Sequence, residues 1–446
     1  MSDALSILAA ARDAGSSTAL RLGERSLTFG QVADMVRERM GSLGLGKSDG
    51  TPYPLVATNT LETVVAFYAL LEARVPVLLL HPRQTEAEHR AVLDACRRAG
   101  RIANADAAAV IHTSGTTGEP RGVVLTCTGL IASLRASAAN LGWRDDDCWL
   151  LAMSIARVGG LSILTRCLAA RCSVAVAPAF DARKLPGWIE QQRITLVSLV
   201  PTMLVQCLDL HPDWQPPPAL RAILLGGAAA PGPLLRRAAL RRFPVIVTYG
   251  CTETCSQVVS TPYDERFESA RHGAGRVLGG AQVRLVDGRI EVRGPMLMAG
   301  YHGEPALDPQ LWFDTGDLGA FDEHGCLHVH ARRADLIVTG GENVYPAEVE
   351  RVLEACPGVI AAGVFGVPDD VWGQTVAAAL VVDGDAPTDQ VLIEYIHARL
   401  ARHKRPRGIC LVTQLPQTDA GKLDRHALST LVDALRPLRA VSRPGD

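Results

Sequence analysis

Lysine is nearly absent from this chain. Of 45 basic residues, only Lys47, Lys184, Lys404 and Lys422 are lysines. Codon bias accounts for a general drift to arginine, so a lysine that remains is a better candidate for a place needing a compact ammonium. The 11 cysteines include no C-x-x-C pair, and Cys251 and Cys255 lack partners at zinc spacing. They read as reduced thiols of a cytoplasmic protein rather than a disulfide framework or a zinc site. No apolar run is long enough to span a bilayer, and Met1–Leu22 lacks the cationic start and apolar core of a signal peptide. A net charge of −2 argues against nucleic acid or an anionic membrane as partner.

What is present is a large apolar fraction, 48% of 446 residues, enough for two or three domains. From Leu55 to Tyr249 short apolar runs alternate with amphipathic stretches. Expected strands are Leu55–Thr58, Val75–Leu80, Ala108–His112, Trp149–Met153, Ser173–Ala177, Thr195–Val200, Ala222–Leu225 and Val245–Tyr249. Helices are expected at Thr63–Leu71, Thr85–Cys96 and Pro233–Arg241. This alternation predicts an α/β fold of mostly parallel sheets flanked by helices. Between Arg276 and His330 short strands such as Val283–Val286 and Ile290–Val292 predict a small β subdomain. Past Arg332 a compact α+β unit is expected: helix Ala347–Glu354, strands Val359–Gly366 and Val376–Val382, and helix Thr388–Leu400.

Gly41–Ser48 matches the P-loop pattern G-x-x-x-x-G-K-[ST] letter for letter. A P-loop needs a strand before it and a helix after it. Here a helical pattern, Phe29–Met40, precedes it, so a helix cap is the better reading.

The strongest candidate site is Thr113-Ser114-Gly115-Thr116-Thr117-Gly118-Glu119-Pro120-Arg121. Hydroxyls and backbone amides donate to phosphate, glycines let it approach, and Arg121 supplies charge. Next comes Thr248-Tyr249-Gly250-Cys251-Thr252-Glu253-Thr254 at the carboxyl end of an expected strand. Ligands bind at such ends in open α/β sheets. An aromatic ring there can stack on a base, and Glu253 can hold Mg²⁺. In Trp312-Phe313-Asp314-Thr315-Gly316-Asp317 a carboxylate beside a glycine turn can accept from two ribose hydroxyls. Gly340 and Gly341 precede a helix start and permit close approach to the backbone. Near the C-terminus Lys422 lies in Gly421-Lys422-Leu423-Asp424-Arg425.

These segments together resemble the adenylate-forming superfamily of acyl-CoA ligases, luciferases and nonribosomal adenylation domains. Its phosphate loop usually reads T-S-G-T-T-G-x-P-K-G, with Lys where this chain has Arg121. The resemblance implies ATP, Mg²⁺ and CoA as ligands. Tyr249 and Gly250 then face adenine, Thr252 the α-phosphate, Glu253 Mg²⁺, Asp317 the ribose and Arg332 ribose or phosphate. Gly340 and Gly341 border the pantetheine tunnel, with Trp372 and Gly373 in the same small domain. Lys422 bridges the reacting carboxylate and the α-phosphate. A large domain, 1–331, and a mobile small domain, 332–446, are implied, pivoting about residues 332–335.

Thr252-Glu253-Thr254-Cys255-Ser256-Gln257 and Val197–Leu204 look most like the o-succinylbenzoate–CoA ligases of menaquinone biosynthesis. An aromatic carboxylic acid is therefore the expected substrate. Its pocket is expected to include Arg157, Ser198, Gly226, Gly227, Cys251, Ser256 and Gln257. Two positions depart from the family: Cys127 and Arg157 stand where relatives carry histidine. Arg157 either pairs with a second substrate carboxylate or is a surface residue. Benzoate-like acids, an acyl-carrier protein as acceptor, and a non-catalytic nucleotide-binding homologue are the competing readings. A homodimer is compatible with all of them.

Overall fold

A computed structural model of the protein describes residues 3–45, 48–113, 121–228, 230–332, 335–339, 342–369, 372–384, 386–418 and 423–438. Among these, nine strands form one sheet. Its order is Arg276–Val277, Ser256–Ser260, Val245–Cys251, Ala222–Leu225, Leu196–Leu199, Cys148–Leu151, Ser173–Val176, Thr18–Leu22 and Arg25–Thr28. The strands from Val245–Cys251 through Thr18–Leu22 pair in parallel. The central ones read Cys-Trp-Leu-Leu, Ser-Val-Ala-Val, Leu-Val-Ser-Leu and Ala-Ile-Leu-Leu, and every residue in them is buried. Strands covered on both faces need such largely apolar runs. Both edges are antiparallel hairpins. The hairpin Thr18–Leu22/Arg25–Thr28 had no counterpart among the expected strands.

The second sheet runs Gly300–Tyr301, Arg121–Thr126, Ala107–Thr113, Val77–Leu80, Tyr53–Val56. Two of its four pairings are parallel and two antiparallel. Seven residues, 114–120, join Ala107–Thr113 to Arg121–Thr126. A parallel crossover needs a dozen or more, so the two strands pair antiparallel, with Thr113 opposite Arg121. Helix Leu61–Glu72 is buried on nearly all sides, from Thr63 to Leu71. Its Val64, Phe67 and Leu70 share one core with Ile111 and Leu125 of the second sheet and Leu151 and Val174 of the first. A helix apolar all round belongs between layers, and this one lies there.

A four-stranded antiparallel sheet follows: Gln282–Val286, Arg289–Arg293, Phe313–Phe321, Leu327–Arg332. Ile337–Thr339 then opens a separate sheet with Glu342–Val344, Gly373–Val382, Val359–Asp369, Gly408–Leu411 and Arg436–Pro437. Helices Pro346–Glu354 and Asp389–His397 cover it. The P-loop look-alike follows helix Phe29–Ser42, and Gly44 takes a positive φ of 59°. Gly46 and Lys47 lie outside the described residues.

Glu354, at the end of its helix, is mostly buried beside Glu350. Burial first, then the Glu350 charge, push its carboxyl from 4.5 up to about 7. The folded state thus binds the proton more tightly than the unfolded chain. That contribution is full below pH 4.5 and is lost as pH rises through about 7. Glu354→Gln should therefore raise the unfolding free energy at pH 8 by up to about 3 kcal/mol and leave it nearly unchanged at pH 4.5. Denaturant titrations at the two pH values read this difference directly.

Candidate active site

The site forms where the carboxyl ends of the large sheet's parallel strands meet the second sheet and the β subdomain. Strand Val245–Cys251 leaves the parallel array, passes a short helical turn at Thr252–Thr254 and returns as Ser256–Ser260. Gly250 is required there. A Cβ on it would sit 1.9 Å from the Ser256 carbonyl oxygen. Cys255 and Ser256 complete the reversal with φ of 50° and 95°.

Tyr249 points from this strand to the β subdomain. Its hydroxyl donates to Asp317 Oδ2 at 2.9 Å and to Thr315 Oγ1 at 3.0 Å. Thr315 in turn donates to the Ile290 carbonyl at 2.8 Å, which holds the pair against the subdomain. Burial, and then the Asp317 charge, push the Tyr249 phenol far above its ordinary range, so it remains a donor. Gly316, with φ of 73°, lets the motif bend within the strand Phe313–Phe321.

Glu253 faces the other way. Its backbone carbonyl accepts from Met298 N at 2.7 Å, and its Oε1 accepts from the Tyr301 hydroxyl at 3.1 Å. Tyr301 lies in the strand Gly300–Tyr301, opposite Val123. The Arg121 guanidinium stacks 3.4 Å above its ring. Arg121 also donates to both oxygens of Glu304, at 2.8 and 2.6 Å. Three segments far apart in sequence thus form one contiguous chain: Asp317 to Tyr249, then Glu253 to Tyr301 to Arg121. Next to it, His112, Arg121, Gly122, Tyr301, His302 and Glu304 line a cleft of about 130 Å³. Burial, with His302 nearby, lowers His112 to about 4, so its ring is neutral at physiological pH.

Sequence reasoning missed Tyr301 and Glu304. Nothing in their local pattern separates them from a surface hairpin. Only the pairing of Gly300–Tyr301 with Arg121–Thr126 brings them to the site. Arg121 was expected to face phosphate alone, and the structure gives it a carboxylate partner as well.

The expected acyl-pocket residues are spread more widely. Gly226 follows strand Ala222–Leu225, and a Cβ on it would lie 2.3 Å from Thr248 Oγ1. Gly227, with φ of 79°, comes next. Ser198 is buried and accepts from Trp149 Nε1 at 3.1 Å. Gln257 is buried too, and its amide donates to Ser137 Oγ at 3.2 Å, toward helix Cys127–Leu141. Cys251 sits beside Thr254, and burial followed by the Glu253 charge holds its thiol well above the usual range. Thr252 opens the helical turn. Arg157 is the N-cap residue of helix Val158–Ala170 and half-buried. Cys127 starts its helix, buried, its thiol pushed up to about 11 by burial. Ser114, Gly115, Thr116, Thr117, Gly118, Gly340, Gly341 and Lys422 lie outside the described residues, as does the side chain of Arg332. The flanks of Lys422 are described. Gln417 bridges to Leu423, and Asp424 caps helix Arg425–Ser429. Arg425 reaches Glu350 at 2.6 Å, Asp335 at 3.2 Å and the Val364 carbonyl at 2.9 Å.

Among the described residues no cluster of three or more metal-ligating side chains occurs. A lone carboxylate such as Glu253 suits Mg²⁺, which keeps waters and takes its other oxygens from phosphate.

Residues 98–302 match the model of the AMP-binding enzyme family, and residues 348–422 that of its C-terminal domain. A 2-succinylbenzoate–CoA ligase of Bacillus mycoides is 39% identical over 344 residues, 74% of this chain and 71% of the relative. The solved o-succinylbenzoate CoA synthetase (MenE) of Bacillus subtilis with the acyl-adenylate OSB-AMP is 30% identical. It superposes with a TM-score of 0.82 over 95% of this chain and 97% of its own. The same enzyme in complex with ATP and magnesium ion gives a TM-score of 0.80 at 30% identity, over 95% of this chain and 98% of its own.

Proposed function

Because the chain belongs to the AMP-binding enzyme family, we propose that it is an AMP-forming acid–thiol ligase. It joins 2-succinylbenzoate to CoA through an acyl-adenylate. The observation that carries this reading is the contiguous chain from Asp317 through Tyr249 and Glu253 to Tyr301 and Arg121. It puts an aromatic and a carboxylate at one end and a cation at the other.

In this reading Tyr249 packs on the adenine, and Asp317 with Arg332 takes the ribose. Residues 113–121 donate to the phosphates. Arg121 exchanges part of its Glu304 contact for phosphate oxygen, since both are bidentate acceptors. Glu253 is the protein ligand for Mg²⁺, which supplies charge neutralisation on the polyphosphate when bound. The carboxylate of the acid attacks the α-phosphorus in line and pyrophosphate leaves. Thr252 and Lys422 donate to the oxygens that gain charge. The unit beginning near residue 332 then turns, Lys422 withdraws, and Gly340 and Gly341 admit the pantetheine arm. The CoA thiol displaces AMP. Helices long and apolar enough to cross a membrane are absent among the described residues.

The test is pyrophosphate release with Mg·ATP across 2-succinylbenzoate, simple benzoates, cinnamates and short fatty acids, with CoA or a carrier protein as acceptor. The expected result is selective turnover of 2-succinylbenzoate with CoA. Preference for a simple benzoate, or acylation of the carrier protein alone, would overturn the assignment.

A further inference from the structure

Arg121 already has an anionic partner. Its Nε and Nη2 donate to Glu304 Oε1 at 3.2 and 2.8 Å, and Nη2 also donates to Oε2 at 2.6 Å. One edge of the guanidinium is thereby filled, and it is an edge that can grip two oxygens of an anion side-on. One face is filled as well, by the Tyr301 ring at 3.4 Å. A phosphate that takes the same edge displaces Glu304.

The carboxylate is built into its place. Residues Tyr301 to Glu304 close a turn, in which Glu304 N donates to the Tyr301 carbonyl at 3.0 Å and Gly303 takes φ of 86°. A type II turn needs a left-handed third residue, and glycine supplies it. Space demands glycine too, because a Cβ on Gly303 would lie 2.9 Å from Ala99 Cβ, at the end of helix Glu86–Ala99. His302 N donates to the Gly122 carbonyl at 2.7 Å, which clamps the turn to the residue after Arg121. Arg121 itself pairs with Thr113 across the base of the 114–120 segment. Both partners are therefore held by backbone, while their side chains are partly exposed and line the cleft. An entering anion reaches the pair from solvent.

Resting on the ligase reading above, we propose that Glu304 is a resident competitor of the polyphosphate. It holds Arg121, yields it to the terminal phosphates of ATP, and takes it back as pyrophosphate leaves. Glu304 is thus a positioning residue that acts through Arg121. Such competition weakens every ligand that needs the free guanidinium by the same factor, set by the fraction of molecules in which Arg121 is unpaired. ATP and pyrophosphate are both ligands of that kind. AMP is not, because Arg121 lies at the end of the site opposite Tyr249 and Asp317, beyond the α-phosphate of the proposed reading.

The experiment is titration calorimetry of Mg·ATP, Mg·pyrophosphate and AMP on the full chain, as wild type and as Glu304→Gln. The Kd values for ATP and pyrophosphate should fall together by about 3- to 10-fold, the worth of a partly exposed bidentate pair, and that for AMP should stay. Glu304→Asp keeps the anion on a shorter arm and should fall between. In an Arg121→Met background Glu304→Gln should change neither Kd. Weaker ATP binding in Glu304→Gln would mean that the carboxylate holds Arg121 ready for phosphate, and would overturn the proposal. Equal affinities, or an equal gain for AMP, would do the same. A gain that persists in the Arg121→Met background would reduce the effect to plain repulsion and remove the competition. A wild-type protein that binds Mg·ATP but releases pyrophosphate with no acid would sink the ligase reading and leave the Glu304 comparison standing. One that binds neither Mg·ATP nor Mg·pyrophosphate would sink both.

Discussion

Replacing Lys422 with alanine is expected to lower acid-dependent pyrophosphate release by about 10²- to 10³-fold, the usual cost of removing one donor to a developing oxyanion. Conversion of supplied acyl-adenylate and CoA to thioester should continue at close to the wild-type rate. The split follows from the two half-reactions. Charge builds on the α-phosphate only in the first, and in the proposed reading the Lys422 ammonium contributes only there. The fixed flanks of Lys422 make the split readable. Arg425 is tied to Glu350, Asp335 and the Val364 carbonyl, so an alanine three residues earlier leaves the surrounding fold anchored. Burst and steady-state assays of each half-reaction separate the two rates. Loss of both would sink the assignment of Lys422 to adenylation.

Asp147→Ala should cost about 3–5 kcal/mol of unfolding free energy, the toll for leaving a buried charge alone. Arg221 donates to Asp147 through Nε at 2.7 Å and Nη2 at 2.5 Å, and to the carbonyls of Leu141 and Gly142 at 2.9 and 2.7 Å. Asp147 also accepts from Thr195 Oγ1 at 2.8 Å and Arg144 N at 2.9 Å. Exposure of the two side chains is 3% and 0%. Removing the carboxylate strands the guanidinium together with two further donors, Thr195 Oγ1 and Arg144 N. The pair lies at the amino ends of strands Cys148–Leu151 and Ala222–Leu225, away from the Gly226 end that borders the site. Urea unfolding should therefore shift strongly while kcat at a permissive temperature changes little. A double replacement by apolar residues should cost less than the single one, because no charge is left unpaired.

Much of this molecule was legible from residue order. The buried parallel strands were readable because each is a short, largely apolar run; helix Leu61–Glu72 was expected as an amphipathic stretch, Thr63–Leu71, and is instead buried on nearly all sides. Edge elements were harder. The hairpin Thr18–Leu22/Arg25–Thr28 alternates polar and apolar residues weakly, and its pairing depends on a distant strand, Ser173–Val176. The antiparallel return at Arg121 follows from the length of the connection rather than from any residue in it.

Tyr249, Glu253 and Asp317 were singled out by type and spacing, as an aromatic able to stack on a base, a carboxylate able to hold a metal and one able to accept from ribose hydroxyls. Their assembly was decided by tertiary contact. The Tyr249–Asp317 bond, the Tyr301 bridge and the Glu304 partner of Arg121 join strands separated by long stretches of chain. Glu304 shows why. In sequence it is an ordinary carboxylate in a Gly-Glu-Pro turn. Only the pairing of Gly300–Tyr301 with Arg121–Thr126 sets it against the cation, and that pairing is a property of the folded packing, where strand register decides which side chains meet.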